Sequence, residues 1–170
     1  ENDTNAIVDT LPPHSITLLV EGGTDADIAE IIYLKKPPGS YTNGTTAVVV
    51  NNEYEFTNTV RFYRPEYVPI YTTINIVAQT GYTSVTTTTI ATNVTALLND
   101  LQIGQTLNIS SIWGAVLKSD PNYTNNGVPT FSISSVLAGK TFMGQGSTDI
   151  TFSLNELSEG TLINCAVNVS

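Results

Sequence analysis

The sequence predicts an α+β protein of two small modules, each built from antiparallel strands with short helices packed on one face. Residues 11–65 contain short apolar and alternating runs around one helical pattern, and residues 66–170 mix two helical patterns with further alternating runs. Arg64-Pro65 separates these regions and is the best internal boundary. Residues 1–10 are mostly polar and are expected to be a linker from a preceding region.

The first module opens with residues 15–20, a nearly continuous apolar run that is typical of a strand buried on both faces. Gly22 and Gly23 end this run. Thr24 then stands at a helix N-cap position, and Asp27 is placed to interact with the cap and with the positive end of the helix dipole. A helix is therefore expected to begin here.

The predicted helix carries Ile28, Ile31 and Ile32 at the i, i+3 and i+4 spacing, which indicates one apolar face against the sheet. Two lysines, Lys35 and Lys36, and the prolines that follow them end it. A glycine-bearing loop over residues 39–44 and a strand over 47–50 come next. Alternation over residues 53–62 then predicts a half-buried strand, so the expected order is strand, helix, strand, strand.

The second module opens with a strand in which Val68, Ile70, Ile74 and Ile76 share one side. Residues 84–101 include a threonine run that favours a strand, but their apolar residues lie on one helical face: Ile90, Val94, Leu97, Leu98 and Leu101. The spacing predicts a helix from about residue 85 that ends at Ile103-Gly104.

A second helical stripe contains Ile112, Trp113, Val116 and Leu117, with Ser110 or Ser111 as its cap and Asp120-Pro121 as its end. Further along, residues 122–127 predict a hairpin-like turn, residues 138–147 a loop, and residues 155–160 another turn. The strands expected between them contain residues 131–133, 150–154 and 163–169. Together they predict a meander with one solvated face.

The net negative charge disfavours two classes of partner, nucleic acids and membrane surfaces. The 170 residues carry a formal net charge of -9, and only 12% of them are charged. An acidic surface repels phosphate backbones and anionic lipids, so neither nucleic acid nor a membrane surface is an expected partner. No run of about 18 apolar residues appears. Cys165 is the single cysteine, which fits folding in a reducing cytoplasm.

Each candidate for chemistry has a simpler structural interpretation. Gly139-Lys140-Thr141 has the ending of a phosphate-binding loop, but Ser134 stands where its first glycine belongs. His14 is the only histidine and has no partners at metal-ligand spacing. The sequence therefore predicts no catalytic, cofactor or metal site and no small-molecule substrate.

Two carboxylates leave one enzymatic alternative open. Glu53 and Glu55 share a strand face about 7 Å apart, which suits a glycosidase pair, although adjacent carboxylates on a solvated face are the default. The aromatic residues expected to contribute to a protein interface are Tyr33, Tyr41, Tyr67 and Tyr71. Trp113 lies on an apolar helix stripe, where core packing is the better interpretation.

Several segments, in this order, resemble the baseplate J family of contractile-tail bacteriophages, which includes the wedge proteins related to Mu and P2 tails. In the first module they are PPHSI, VEGG, KPPGSYTNG and VRFYRP. In the second they are VPIYTTINIVAQ, LNDLQIGQTLNISSIWGAV and NELSEGTLINCAVNV. The motif positions are Gly22, Gly23, Pro37, Gly39, Thr42, Gly44, Phe62, Arg64, Pro65 and Gly104.

The resemblance implies a structural, non-enzymatic component of a baseplate wedge, which joins neighbours in a ring around the tail hub. Its expected partners are other baseplate proteins and copies of itself, and its expected location is the virion tail baseplate after assembly in the bacterial cytoplasm. The family is longer at its N-terminus, so the chain is expected to be a C-terminal part. Two alternatives remain open: a host-surface adhesin or receptor-binding module, and a tail-associated glycan hydrolase.

Overall fold

A computed structural model describes residues 1–7, 11–51 and 57–170. The chain divides into two compact units, Glu1–Pro65 and Glu66–Ser170. Both contain helices and strands, so the predicted α+β class is confirmed. Within the described residues, no helix combines the length and the apolar character that crossing a bilayer requires.

The first unit contains two strand pairs and one helix. Strand β1 (Ser15–Thr17) pairs in parallel with β2 (Tyr41–Asn43), and β3 (Thr46–Asn51) pairs antiparallel with β4 (Thr57–Phe62). Helix α1 (Asp25–Lys35) packs against β3 and β4. The buried apolar cluster of the unit is formed by Ile28, Ala29, Ile32, Val60 and Phe62.

The predicted start of α1 is confirmed. The hydroxyl oxygen of Thr24 accepts a hydrogen bond from the Asp27 N–H at 3.2 Å and donates one to the Asp27 carboxylate at 2.6 Å. The two residues therefore satisfy a backbone donor of the first turn and place a negative charge where the helix dipole favours it.

Three expectations for the first unit are wrong. The strand predicted over residues 15–20 spans only Ser15–Thr17, and Leu18 is 36% exposed. Ile31 is 59% exposed, because α1 turns Ile28 and Ile32 towards β3 and β4 and leaves Ile31 beside that contact. The loop expected over residues 39–44 contains β2.

The alternation predicted over residues 53–62 depends partly on Tyr54 and Phe56, which lie outside the described residues.

Asn2 lies in the segment expected to be a linker, yet it is only 3% exposed. Its backbone exchanges two hydrogen bonds with Ser15, at 2.8 and 2.9 Å. Its side-chain amide donates to the carbonyl oxygens of Ala6, Leu11 and Pro12. Asn2 is thus packed into the first unit.

The second unit is built on a three-stranded mixed sheet with the order β6-β5-β7. The central strand β5 (Glu66–Ala78) pairs antiparallel with β6 (Phe131–Gly139) and in parallel with β7 (Glu156–Val169). Between β5 and β6 the chain forms α2 (Ser84–Asn99), α3 (Ile109–Lys118) and α4 (Pro121–Asn126). A short 3₁₀ helix (Phe142–Gly144) follows β6.

The core of the second unit lies between the helices and one face of the sheet. Ile70, Ile74 and Ile76 on β5 are buried, as expected from their alternation. Among the described side chains of α2, the buried apolar ones are Ile90, Val94 and Leu98, which confirms that periodicity outweighs the strand propensity of the threonine run. The free energy gained by burying this apolar stripe exceeds the small free-energy cost of placing threonines in a helix.

Helix boundaries differ in detail from the sequence expectation. Helix α2 ends at Asn99, before the predicted stop at Ile103-Gly104. Helix α3 begins at Ile109 with Asn108 as its N-cap, ahead of the two serines expected to cap it.

The hairpin-like turn predicted over residues 122–127 is wrong, because these residues form most of α4. Asp120 is its N-cap, Pro121 occupies the first helical position, and Gly127 ends it with a φ of 76°. Proline is preorganised for the first turn and glycine for the left-handed position that closes a helix, so a six-residue helix forms.

The meander expected at the end of the chain is also wrong. The turn predicted over residues 155–160 is the beginning of β7, which pairs in parallel with β5 and not with β6. The strand expected over residues 150–154 is limited to one bridge between Ile150 and Leu107. The loop predicted over residues 138–147 begins later than expected, because Ala138 and Gly139 belong to β6.

Gly160 sets the distance between α2 and β7. A Cβ atom on this residue would lie 2.7 Å from the Cβ of Leu98 and 2.9 Å from the carbonyl oxygen of Thr95. The Asn99 side chain accepts from the Gly160 N–H at 2.7 Å and donates to its carbonyl at 3.1 Å, so the helix end is held against the strand.

We expect Gly160→Ala to lower the free energy of unfolding of the second unit by about 2 kcal/mol, since the helix must move away from the strand. Urea unfolding followed by Trp113 fluorescence measures this. Gly114→Ala is the control, because nothing lies within 4 Å of a Cβ at that helical position. Equal stability of the Gly160 variant and the wild type would contradict the close approach.

Candidate functional site

Arg64 brings together two of the segments that carry the resemblance, VEGG and VRFYRP. Its guanidinium donates to the carbonyl oxygens of Val20, Gly22 and Gly23, at 3.1, 2.5 and 2.9 Å. It also binds the Asp25 carboxylate through two nitrogens, at 3.0 and 2.6 Å. We call this arrangement the Arg64 clamp.

The backbone before α1 has the conformation that the Arg64 clamp requires. Gly22 and Gly23 have φ values of 67° and 69°, which place both in the left-handed region that glycine adopts without strain. In this turn their carbonyl oxygens face one guanidinium. The planar fork of arginine suits several acceptors at once, whereas a lysine ammonium is a single point charge.

We expect Arg64→Ala to lower the free energy of unfolding of the first unit by about 2 kcal/mol, because charged hydrogen bonds to three carbonyls and a carboxylate are lost at a partly exposed site. Arg64→Lys is the matched control, and most of this loss should persist in it because lysine cannot reproduce the fork. Hydrogen exchange at the amides of residues 22–25 should accelerate in both variants. Unchanged exchange would show that the turn does not depend on Arg64.

Other motif positions also make structural contacts. The hydroxyl of Thr42 accepts from the Arg61 N–H at 2.9 Å, which joins β2 to β4. Gly44 lies directly against the backbone of the fully buried Phe62.

The remaining motif residues lie at element ends. Pro37 follows the C-cap of α1, Pro65 ends the first unit, and Gly39 and Gly104 have φ values of 82° and 78° in turns.

An apolar groove runs beside α1 and has a volume of about 400 Å³. Aliphatic side chains from the helix and from the β1 region line it: Ile16, Leu18, Val20, Ile28, Ile31 and Ile32. Lys35, Lys36 and Pro37 lie at one end. We call this feature the α1 groove. Contiguous exposed apolar surface of this kind is typical of protein interaction sites.

The sequence does not predict the α1 groove, because the spacing of Ile31 places this residue on the face that packs against the sheet. A signal was present, since Leu34 extends the apolar spacing of Ile28 and Ile31 by another three residues. The apolar stripe of Ile28, Ile31 and Leu34 is wider than the strand pair β3–β4 can cover. Leu34 is accordingly 68% exposed.

A second open cavity, of about 630 Å³, lies between α2 and α3. Small side chains form much of its wall, among them Ala96, Gly114 and Ala115. Asp100 and Lys118 are its charged lining residues.

The tyrosines expected at an interface differ in exposure. Tyr41 and Tyr67 are exposed. Tyr33 is half-buried against the core of the first unit, and Tyr71 is half-buried with its ring edge-on to Phe142, with centroids 6.2 Å apart.

The surroundings of His14 and Cys165 differ. His14 is exposed, and its Nε2 lies 2.7 Å from the Asn5 side-chain oxygen. Burial raises the pKa of the Cys165 thiol, which belongs to the core of the second unit. Glu53 and Glu55 lie outside the described residues.

Within the described residues, Lys140 contacts Glu156 and Phe152. It forms an ion pair with Glu156 at 2.5 Å and lies 5.0 Å from the centre of the Phe152 ring. The hydrogen bond from Lys140, helped by one from the Ser153 N–H, lowers the pKa of the Glu156 carboxyl. Lys140 thus neutralises a neighbouring carboxylate.

Across residues 1–7, 11–51 and 57–170, no group of three or more His, Cys, Asp or Glu side chains is arranged to hold a metal ion. The chain matches no protein-family model, and a search of curated proteins finds no match to it.

Proposed function

We propose that this chain is a structural, non-enzymatic component of a contractile-tail baseplate wedge, located in the tail of a virion or tail-like particle. The Arg64 clamp is the observation that carries the proposal. It gives the VEGG and VRFYRP segments, which are about 40 positions apart, one shared structural role in the first unit. Two segments that resemble a structural family therefore contact each other and hold the first unit together.

The α1 groove supports an assembly role for the same unit. Its lining is aliphatic apart from the two lysines at its end, so it offers mainly apolar contact area. A wedge protein works through contacts with other baseplate proteins and with copies of itself, and apolar surface supplies most of the free energy of such contacts.

Immunogold electron microscopy tests the proposal. Antibody raised against the purified chain is applied to phage or tail-like particles from the source culture, and the same antibody absorbed with the purified chain is the control. Label confined to the host-proximal end of the tail is the expected result.

The alternatives give different outcomes. Label on cells or in the medium, with none on particles, would contradict the wedge proposal and favour a surface adhesin. A glycan hydrolase would release sugar from host cell-wall preparations, and that release would disappear in a Glu53→Gln, Glu55→Gln double variant. The wedge proposal predicts no release.

A further inference from the structure

One side of α1 presents a short exposed pattern of charge and apolar side chains. Asp27, Ile31, Leu34 and Lys35 follow the i, i+4, i+7 and i+8 spacing, which places them on the same side of a helix. Ile31 is 59% exposed and Leu34 is 68% exposed. We call these four residues the α1 stripe.

The two charges of the α1 stripe are opposite in sign and lie at equal distances from its centre. Asp27 precedes Ile31 by four residues, and Lys35 follows it by four. With a rise of about 1.5 Å per residue, each charge lies about 6 Å along the helix axis from Ile31. Among the described residues Lys35 forms no ion pair, and the Asp27 carboxylate is held in place by the Thr24 hydroxyl.

We propose that the α1 stripe is a two-fold contact surface, on which two copies of this chain pack their α1 helices antiparallel with Ile31 at the centre. Asp27 of each copy then lies opposite Lys35 of the other, which creates two equivalent ion pairs. Leu34 of each copy lies opposite Ile28 of the other, so it enters the α1 groove as a knob enters a hole.

A second copy fits this surface because a two-fold contact requires a patch that is complementary to itself. The antiparallel arrangement meets that condition. A parallel arrangement fails, since it places Asp27 against Asp27 and Lys35 against Lys35. The chain has 15 acidic and 6 basic residues, so its copies repel each other overall, and a contact that pairs Asp27 with Lys35 offsets part of that repulsion.

The contact is small, because α1 has 11 residues and so is about 16 Å long. It therefore belongs with transient interfaces and not with obligate dimers. We expect a reversible dimer that forms at high protein concentration and weakens as salt screens the ion pairs.

Sedimentation equilibrium of the purified chain over a wide concentration range tests the contact. Leu34→Asp should abolish association, and Lys35→Glu should weaken it about tenfold because it places like charges opposite each other twice. Lys118→Glu, the same charge change at an exposed lysine of α3, is the matched control and should leave association unchanged.

Charge reversal distinguishes this contact from a general effect of charge. Asp27→Lys should weaken association as Lys35→Glu does, and the double variant should restore it, since both pairs are then inverted. Circular dichroism checks the helix content of each variant, because the Asp27 carboxylate also accepts a hydrogen bond from the Thr24 hydroxyl at the start of α1.

A wild-type chain that stays monomeric at every concentration would overturn the proposal, and so would a double variant no tighter than the single ones. The contact uses the α1 groove that also supports the proposed function, yet either result would leave the immunogold outcome unaffected.

Discussion

Gly44→Ala is expected to lower the free energy of unfolding of the first unit by about 3 kcal/mol or more. A Cβ at this position would lie 2.2 Å from the carbonyl carbon of Phe62 and 2.4 Å from its Cα. These atoms belong to backbone and cannot move as a side-chain end can. Phe62 is fully buried, so any shift of its backbone also disturbs the core between α1 and β4.

Gly39→Ala is the matched control in the same unit. Its φ of 82° makes alanine strained, but nothing lies within 4 Å of the new Cβ. The cost should therefore be only about 1–2 kcal/mol. Urea unfolding and hydrogen exchange at the amides of β4 measure both variants. If the two substitutions cost the same, the close approach of Gly44 to Phe62 is not present in solution.

Asp120→Ala is expected to destabilise the second unit by about 3 kcal/mol, the sum of a lost helix cap and unsatisfied buried donors. Asp120 is 1% exposed. One carboxylate oxygen caps α4 through the Asn122 N–H at 2.8 Å. The other accepts from the Thr130 N–H at 2.5 Å and from the Thr130 hydroxyl at 2.7 Å.

The control for this variant is Asp149→Ala. Asp149 is exposed and accepts one hydrogen bond, from the Ile109 N–H at 2.8 Å, at the first residue of α3. Its loss should cost about 1 kcal/mol. Urea unfolding followed by Trp113 fluorescence compares the stability of the two variants. A smaller loss of stability for Asp120→Ala than for Asp149→Ala would contradict the buried hydrogen bonds of the Asp120 carboxylate.

The contribution of Asp120 should also depend on pH. Burial acts to raise the pKa of its carboxyl, but the hydrogen bonds from Thr130, Asn122 and Tyr123 outweigh burial and lower the pKa below the ordinary value of 3.8. A lowered pKa in the folded state stabilises the protein above the unfolded pKa, and that stabilisation is lost as the pH falls through the folded pKa.

The stability difference between wild type and Asp120→Ala should therefore be largest at about pH 6 and should shrink below about pH 4. Unfolding curves recorded across this range measure the difference at each pH. A constant difference would mean that the carboxylate charge does not contribute.

The amino-acid sequence by itself determined the features that depend on neighbours within about one helical turn. The Thr24 cap with Asp27 starts α1, and the stripe of Ile90, Val94 and Leu98 makes α2 a helix despite its threonines. Caps and periodicity are local, so they can be read without knowing what the element packs against.

The tertiary structure decided which strands pair and which apolar side chains are covered. The parallel pairing of β7 with β5 joins residues about 90 positions apart, and the sequence pattern of β7 fits a parallel or an antiparallel partner equally well. The exposure of Ile31 depends on where β3 and β4 meet α1, and the need for Gly44 depends on the approach of Phe62. Such features arise from contacts between distant segments, whose geometry a local pattern of hydrophobicity does not contain.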